Sequence, residues 1–245
     1  MQAIGGIEIK ELFYNFGAYN FRARISVGII LFAPCLLQIY LLIPEMKNLS
    51  STIVIAIIFY GLCNLIIVYC RNFGVKAMKK CFPNMLPAQE YLLPSNSKIN
   101  AVTKQRYYNF FLKHIDGFKI FDNDNKMIPY VSTAITWLIS KTRDAKKFPL
   151  IAEENMNFGF SYNLLGLKPF GITICILGVI FTSLLTFFSL KDLISINICK
   201  TLISLIVYWF FFFLWIFVIT KKLVISAGQK YASALLSACD SDNFD

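Results

Sequence analysis

Four long apolar stretches alternate with polar segments along this chain. They are Ile25–Ile43, Thr52–Cys70, Phe170–Leu190 and Thr201–Thr220, and none of them contains Asp, Glu, Lys or Arg. A helix needs roughly 17–25 residues to cross the hydrocarbon core of a bilayer. Each stretch is therefore long enough to cross once, and the pattern predicts four transmembrane helices.

The polar residues 71–168, between the second and third stretches, have the pattern of a soluble helical block. Apolar positions recur near helical spacing over Ile99–Ile115 and Tyr130–Lys141, which predicts two amphipathic helices joined by a loop over Gly117–Pro129. Pro169 suits the first turn of the third crossing. The predicted fold is an all-α membrane protein with four transmembrane helices and a cytoplasmic helical domain inserted between the second and third.

This organisation predicts five parts. Residues 1–24 form a cytoplasmic N-terminal interfacial segment, 25–70 the first transmembrane hairpin and 71–168 a cytoplasmic basic helical domain. Residues 169–220 form the second hairpin, and 221–245 form a cytoplasmic C-terminal helix with an acidic tail.

Composition and charge support this topology. Hydrophobic residues make up 57% of the 245 residues, against ~45–50% in soluble domains. Of the 24 Lys and Arg residues, 21 lie on the side that holds both termini and the central block, and three lie in the two short connecting loops. Cytoplasmic segments retain the excess of Lys and Arg. We therefore expect a multi-pass protein of the bacterial inner membrane with both termini in the cytoplasm.

The chain lacks the residue sets that common catalytic sites need. It has one histidine, His114, and no nucleophile-elbow, P-loop or zinc-protease motif. The adjacent Glu153 and Glu154 would point about 100° apart on a helix, which favours pairing with nearby basic residues over paired acid/base chemistry. We expect no enzyme activity, no cofactor and no metal site, and a membrane-bound hydrolase is the weakest hypothesis.

Binding chemistry is better represented, because basic residues alternate with aromatic residues over Lys104–Tyr108 and Arg143–Phe148. Cations attract phosphates and aromatic rings stack on bases. Attraction to anionic lipid is the competing explanation for the same charges. The candidate ligand-binding residues are Arg71, Lys76, Lys80, Lys104, Arg106, Tyr107, Arg143, Lys146, Lys147 and Asn155.

Three polar residues lie inside the first two apolar stretches: Gln38, Tyr60 and Asn64. Their side chains either join helices by hydrogen bonds or line a water-filled path in an oligomer. The sequence leaves both roles open.

Three motifs carry a resemblance to a known family. Residues 142–150 read TRDAKKFPL, residues 154–160 read ENMNFGF and residues 163–169 read NLLGLKP. This pattern resembles small bacterial membrane proteins that act as effectors of antiphage defence, similar to those encoded beside nucleotidyltransferases in Hailong-type systems. The resemblance runs from about Phe13 to Lys168, and it departs at Ser161-Tyr162, where a basic pair is expected.

The resemblance implies an oligomeric ion channel or pore that depolarises the inner membrane and halts growth. Its partners would be further copies of the chain, as in a tetramer, membrane lipids, and a nucleotide or single-stranded oligonucleotide made by a nucleotidyltransferase. The alternative is a non-conducting scaffold whose basic domain binds anionic lipid or a soluble protein.

Overall fold

The computed structural model describes residues 18–43, 49–241 and 244. Within this part the chain is helical throughout, with no strand. The helices are α1 (Ser26–Leu42), α2 (Leu49–Cys81), α3 (Pro87–Glu90), α4 (Ala101–His114), α5 (Asp124–Lys141), α6 (Pro149–Leu190), α7 (Ile198–Phe213) and α8 (Lys221–Ser237). A short helical turn (Ala18–Asn20) and a π-helical turn (Phe21–Ile25) precede α1, a π-helical turn (Leu214–Val218) follows α7, and a 3₁₀ turn (Ala238–Asp240) follows α8.

Three described helices are long and apolar enough to cross a membrane: Phe21–Leu42, Pro149–Leu190 and Ile198–Val218. They contain most of the predicted first, third and fourth crossings. The predicted second crossing, Thr52–Cys70, lies in the 33-residue helix α2. Most side chains of Thr52–Cys70 lie outside the described residues. This second crossing, which would bring the number of transmembrane helices to four, therefore stays a prediction.

Pro169 does not lie in the first turn of its helix, although the sequence pattern predicted a helix start there. Pro169 lies inside α6, which has 42 residues and is therefore about 63 Å long. Proline removes one backbone donor, and membrane helices tolerate this when nearby groups satisfy the freed carbonyl. The carbonyl freed by Pro169 is that of Leu165, four residues earlier on α6. The Thr173 hydroxyl donates to the carbonyl of Pro169 itself over 2.9 Å. One uninterrupted helix thus covers the end of the predicted soluble block and the third crossing.

The predicted loop over Gly117–Pro129 is also too long, because α5 begins at Asp124. The Asn123 side chain caps this helix by accepting hydrogen bonds from the backbone N–H groups of Asn125 (2.9 Å) and Lys126 (3.3 Å). Asparagine is a preferred N-cap residue. Residues 122–125, which read DNDN, therefore contain the start of α5.

The chain divides into two compact units. The membrane unit comprises residues up to Met78 together with Gly159–Leu223, and the helical unit comprises Lys79–Phe158 and Val224–Asp245. These boundaries differ from the predicted domain limits at 71 and 168, and they group most of the C-terminal helix with the central block. The cytoplasmic location of the helical unit stays a prediction.

Close helix packing defines the membrane unit. A Cβ atom on Gly166 of α6 would lie 2.5 Å from the backbone of Phe73 and Gly74 in α2, so the two helices cross where both lack a side chain. Small residues permit this approach in membranes. The fully buried Trp215 packs against Gly171 in the same way.

The helical unit has its own apolar core. Buried side chains from α4, α5, α8 and the segment after α3 form one cluster. Its most enclosed members are Leu92, Phe111, Met127, Leu138 and Leu235. Since α8 supplies part of this core, the C-terminal helix is an integral layer of the unit.

Candidate ligand-binding surfaces

The ten candidate ligand residues are divided between the two units. Arg71 and Lys76 lie on α2 within the membrane unit, and both are exposed. The Lys76 ammonium lies 5.8 Å from the centre of the Phe73 ring. The other eight belong to the helical unit, including Lys80, which is exposed in the last turn of α2.

Lys104 is occupied inside the helical unit. Its side chain is only 7% exposed, and its ammonium donates to the backbone carbonyls of Leu93 (2.7 Å) and Asn96. Burial lowers the pKa of this ammonium group. Basic residues of an amphipathic helix are expected away from its apolar side, and for Lys104 this expectation is wrong. Lys104, Tyr107, Tyr108 and Phe111 follow the i, i+3, i+4, i+7 spacing of one helical face, which is the buried face.

Arg106 and Tyr107 also have partners within the unit. The Arg106 guanidinium lies 3.0 Å from the Asp240 carboxylate, in an exposed ion pair. Tyr107 is buried, and this burial raises its pKa to about 12. Its ring is therefore not available for stacking on a base. Arg106 would have to break its ion pair with Asp240 before its guanidinium could bind a phosphate.

Arg143, Lys146 and Lys147 are exposed together in the segment between α5 and α6. We call Arg143–Lys147 the cationic segment. Its shape is set locally, because Asp144 accepts hydrogen bonds from the backbone N–H groups of Lys146 and Phe148, each over 2.9 Å. Phe148 is buried and fixes the end of the segment to the core. The structure therefore brings together three of the predicted cations.

An aromatic cluster adjoins the cationic segment. The Phe244 ring lies 5.5 Å from that of Phe148, 5.2 Å from that of Phe110 and 6.0 Å from that of Trp137, with the last pair stacked. The Lys141 ammonium lies 5.8 Å from the Trp137 ring. The sequence pattern identified Phe148 but not its ring partners, because they are distant along the chain.

Asn155, the last candidate, is partly buried on α6, eight residues after the cationic segment. The same stretch of α6 borders an open groove that the sequence interpretation missed. The groove has a volume of about 660 Å³. It is lined by Tyr91, Leu150, Glu154, Ser226, Gln229, Lys230, Ser233, Ala234 and Ser237.

Glu154 is the unusual member of this groove. One carboxylate oxygen, Oε2, is buried and has no hydrogen-bond partner among the described residues. Pairing of Glu154 with neighbouring cations, the role favoured from sequence, leaves this oxygen unexplained. The sequence feature that could have indicated the groove is the recurrence of polar residues along one face of α8, namely Ser226, Lys230, Ser233 and Ser237.

In the membrane unit, Gln38 joins three helices. Its amide nitrogen donates to the Thr182 hydroxyl over 2.6 Å, and its amide oxygen accepts from the Tyr208 hydroxyl over 2.8 Å. Gln38 is 8% exposed, and these contacts favour the interhelical role over a pore-lining one. The side chains of Tyr60 and Asn64 lie outside the described residues.

Lys168, counted among the basic residues of the central block, has a structural role in the membrane unit. Its ammonium donates to the carbonyls of Ile216 (2.9 Å) and Ile219 (2.7 Å), where the π-helical turn ends. These carbonyls would otherwise lack partners at a helix end. Lys168 is therefore not a candidate ligand contact.

Comparisons of this chain with protein-family models, with curated proteins and with solved structures find no match. Its function is therefore inferred from the residues and contacts described above.

Proposed function

We propose that this protein is a membrane effector of bacterial antiphage defence. An oligomer of the chain, such as a tetramer, conducts ions across the inner membrane, and a nucleotide or short single-stranded oligonucleotide bound to the helical unit controls it. A nucleotidyltransferase supplies this signal. A change in the signal during infection depolarises the membrane and arrests growth. The motif resemblance and the apolar helices support this proposal.

The observation that carries the proposal is the position of the cationic segment. Arg143, Lys146 and Lys147 are exposed immediately before Pro149, where α6 begins, and α6 continues to Leu190. A phosphate-bearing ligand held by the cationic segment would act on the first turn of a helix that also includes a candidate crossing.

The membrane unit favours a pore between subunits over one within a subunit. The four predicted crossings carry no Asp, Glu, Lys or Arg, and the described polar network of Gln38, Thr182 and Tyr208 is enclosed between helices. Apolar side chains such as Phe187 and Phe213 are exposed on α6 and α7, where lipid or another subunit can cover them. Closed rings with an axial pore are a common solution for such subunits.

Control requires that the ligand prefer one state of the channel. A hundredfold difference in affinity between the open and closed states shifts their equilibrium by about 2.7 kcal/mol, whereas equal affinity shifts nothing. The ligand could hold the channel closed or open it, and both modes of control require binding to the cationic segment.

Native mass spectrometry of the detergent-purified full-length protein tests this proposal. We expect an oligomer that carries a nucleotide or oligonucleotide, identified by nuclease treatment and base composition. Substitution of Lys146→Glu with Lys147→Glu should remove it. The matched control is Lys119→Glu with Lys126→Glu, which makes the same change in charge at exposed positions elsewhere in the helical unit and should retain the ligand.

Two results would count against the proposal. A monomer would remove the intersubunit pore. Phospholipid as the only bound molecule, unchanged by Lys146→Glu with Lys147→Glu, would favour a scaffold on anionic lipid.

A further inference from the structure

The ring of Phe244 lies at the centre of the aromatic cluster. It is 5.2 Å from the Phe110 ring and 5.5 Å from the Phe148 ring, and it stacks on Trp137 with the two planes 23° apart. Phe110 and Trp137 are only partly buried, even with Phe244 in contact with them. Without Phe244, three aromatic rings would therefore line a place where another planar ring can stack.

Cationic side chains adjoin this cluster. The Lys141 ammonium lies 5.8 Å from the Trp137 ring, and the cationic segment directly precedes Phe148. Arg106 precedes Phe110 by four residues, so the two side chains lie on one face of α4, about 6 Å apart along its axis. The helical unit thus places groups that attract phosphate beside rings that can stack on a base.

The residues after α8 contact both kinds of group. Residues 240–245 read DSDNFD, so half of them are acidic. The Asp240 carboxylate pairs with Arg106 over 3.0 Å, while Phe244, four residues later, stacks on Trp137. An anionic group followed by a planar ring has the same pair of features as the phosphate and base of a nucleotide.

We propose that Phe110, Trp137 and Phe148 form the base-stacking site of the ligand, and that Asp240 and Phe244 occupy this site until a nucleotide or oligonucleotide displaces them. This inference rests on the proposed function, in which the ligand has both phosphates and bases. It identifies where a base is bound and which segment of the chain competes with it. Every base has a flat face, so the site selects for a planar ring and not for one sequence.

The competition lowers the affinity that is measured. If Phe244 fills the site about nine-tenths of the time, the ligand binds about tenfold more weakly than it would to the empty site. Stacking of a base on an aromatic ring strengthens binding by about fivefold or more. Both effects are large enough to measure separately.

Binding of two probes to the full-length protein in detergent tests the inference. One probe is a 5′-phosphorylated thymidylate tetramer, and the other is an abasic tetramer with the same number of phosphates. Co-purified nucleic acid is first removed in high salt, which weakens phosphate contacts. We expect the parent protein to bind the thymidylate probe about fivefold or more tightly than the abasic probe. Trp137→Leu should remove this difference.

Substitutions in the competing segment test the displacement. Phe244→Ala should bind the thymidylate probe about threefold or more tightly than the parent does, whereas Phe244→Tyr, which keeps a ring, should bind it like the parent. Asp240→Asn breaks an exposed ion pair and should tighten the binding of both probes. The matched control is Asp116→Asn, which makes the same change in charge at another exposed position of the helical unit and should alter neither affinity.

The comparison of the two probes uses the unaltered protein, so it does not depend on how any variant folds. Equal binding of both probes by the parent, lost on Lys146→Glu with Lys147→Glu, would overturn the stacking site and leave the proposed function standing. Unchanged or weaker thymidylate binding by Phe244→Ala, with abasic binding retained, would overturn the competition. Absence of binding by both probes, together with purification free of any nucleotide or oligonucleotide, would overturn both proposals.

Discussion

Replacement of Gln38 by leucine separates the two roles that the sequence leaves open for this residue. Gln38→Leu keeps the approximate size of the side chain and removes both described hydrogen bonds, the donor to Thr182 and the acceptor from Tyr208. Thr182 retains its bond to the Gly178 carbonyl, and Tyr208 retains the Cys35 thiol at 3.6 Å as a weak partner. The network is therefore weakened without leaving either hydroxyl isolated.

The expected cost follows from these two bonds. Hydrogen bonds between membrane helices contribute on average about 0.6 kcal/mol and at most about 1.7 kcal/mol each in double-mutant cycles. Gln38→Leu should therefore lower the free energy of unfolding by about 1–3 kcal/mol. Conductance of the open channel should not change, because Gln38 faces its own subunit.

Equilibrium unfolding in mixed detergent and lipid micelles measures this stability, and single-channel recording in planar bilayers measures conductance. Leu37→Ile is the control, because Leu37 is the neighbouring residue, is 44% exposed and has no part in the network. Altered conductance or ion selectivity in Gln38→Leu, with stability unchanged, would refute the interhelical assignment and place Gln38 on the ion path.

Three further outcomes test other contacts. Gly166→Ala places a Cβ atom 2.5 Å from the backbone of α2 and should destabilise the membrane unit by about 1–3 kcal/mol. This loss would be measured as a lower unfolding midpoint. An unchanged midpoint would contradict the close crossing of the two helices. Phe244→Ala removes the stacked partner of Trp137 and should alter tryptophan emission and lower stability, whereas Phe244→Tyr should preserve both. Hydrogen bonds from Ser95 lower the pKa of Asp124, so this carboxylate stabilises the fold above its unfolded pKa and loses that effect as pH falls. The difference in unfolding midpoint between the parent and Ser95→Ala should therefore be present at neutral pH and narrow below about pH 4; a difference that persists there would contradict the assignment.

The all-helical character and three candidate membrane helices follow from the sequence because they depend on the local density of apolar residues. The start of α6 could not be located in this way. Pro169 is compatible with a helix start and with a helix interior, and the contacts around it decide between them. The face of α4 that carries Lys104 was misjudged because a lysine on an apolar face is uncommon, and its carbonyl partners lie in a loop eight and eleven residues away.

The candidate site was predictable only in part. The cationic segment is contiguous, so its composition revealed it. The groove joins Glu154 on α6 to Lys230 on α8, and the aromatic cluster joins Phe110, Trp137 and Phe148 to Phe244. No local pattern links residues so far apart along the chain. Only the packing of α8 and the C-terminal turn in the helical unit brings them together.

Ion flux from liposomes containing the purified protein tests the central claim most directly, measured with a potential-sensitive dye in the presence and absence of short single-stranded DNA. We expect the parent protein to conduct in one condition and not in the other. The control variant, Lys119→Glu with Lys126→Glu, should behave in the same way. Lys146→Glu with Lys147→Glu should give the same flux in both conditions. Absence of flux from the parent protein in both conditions, at an oligomeric state confirmed in the same sample, would contradict a ligand-controlled channel.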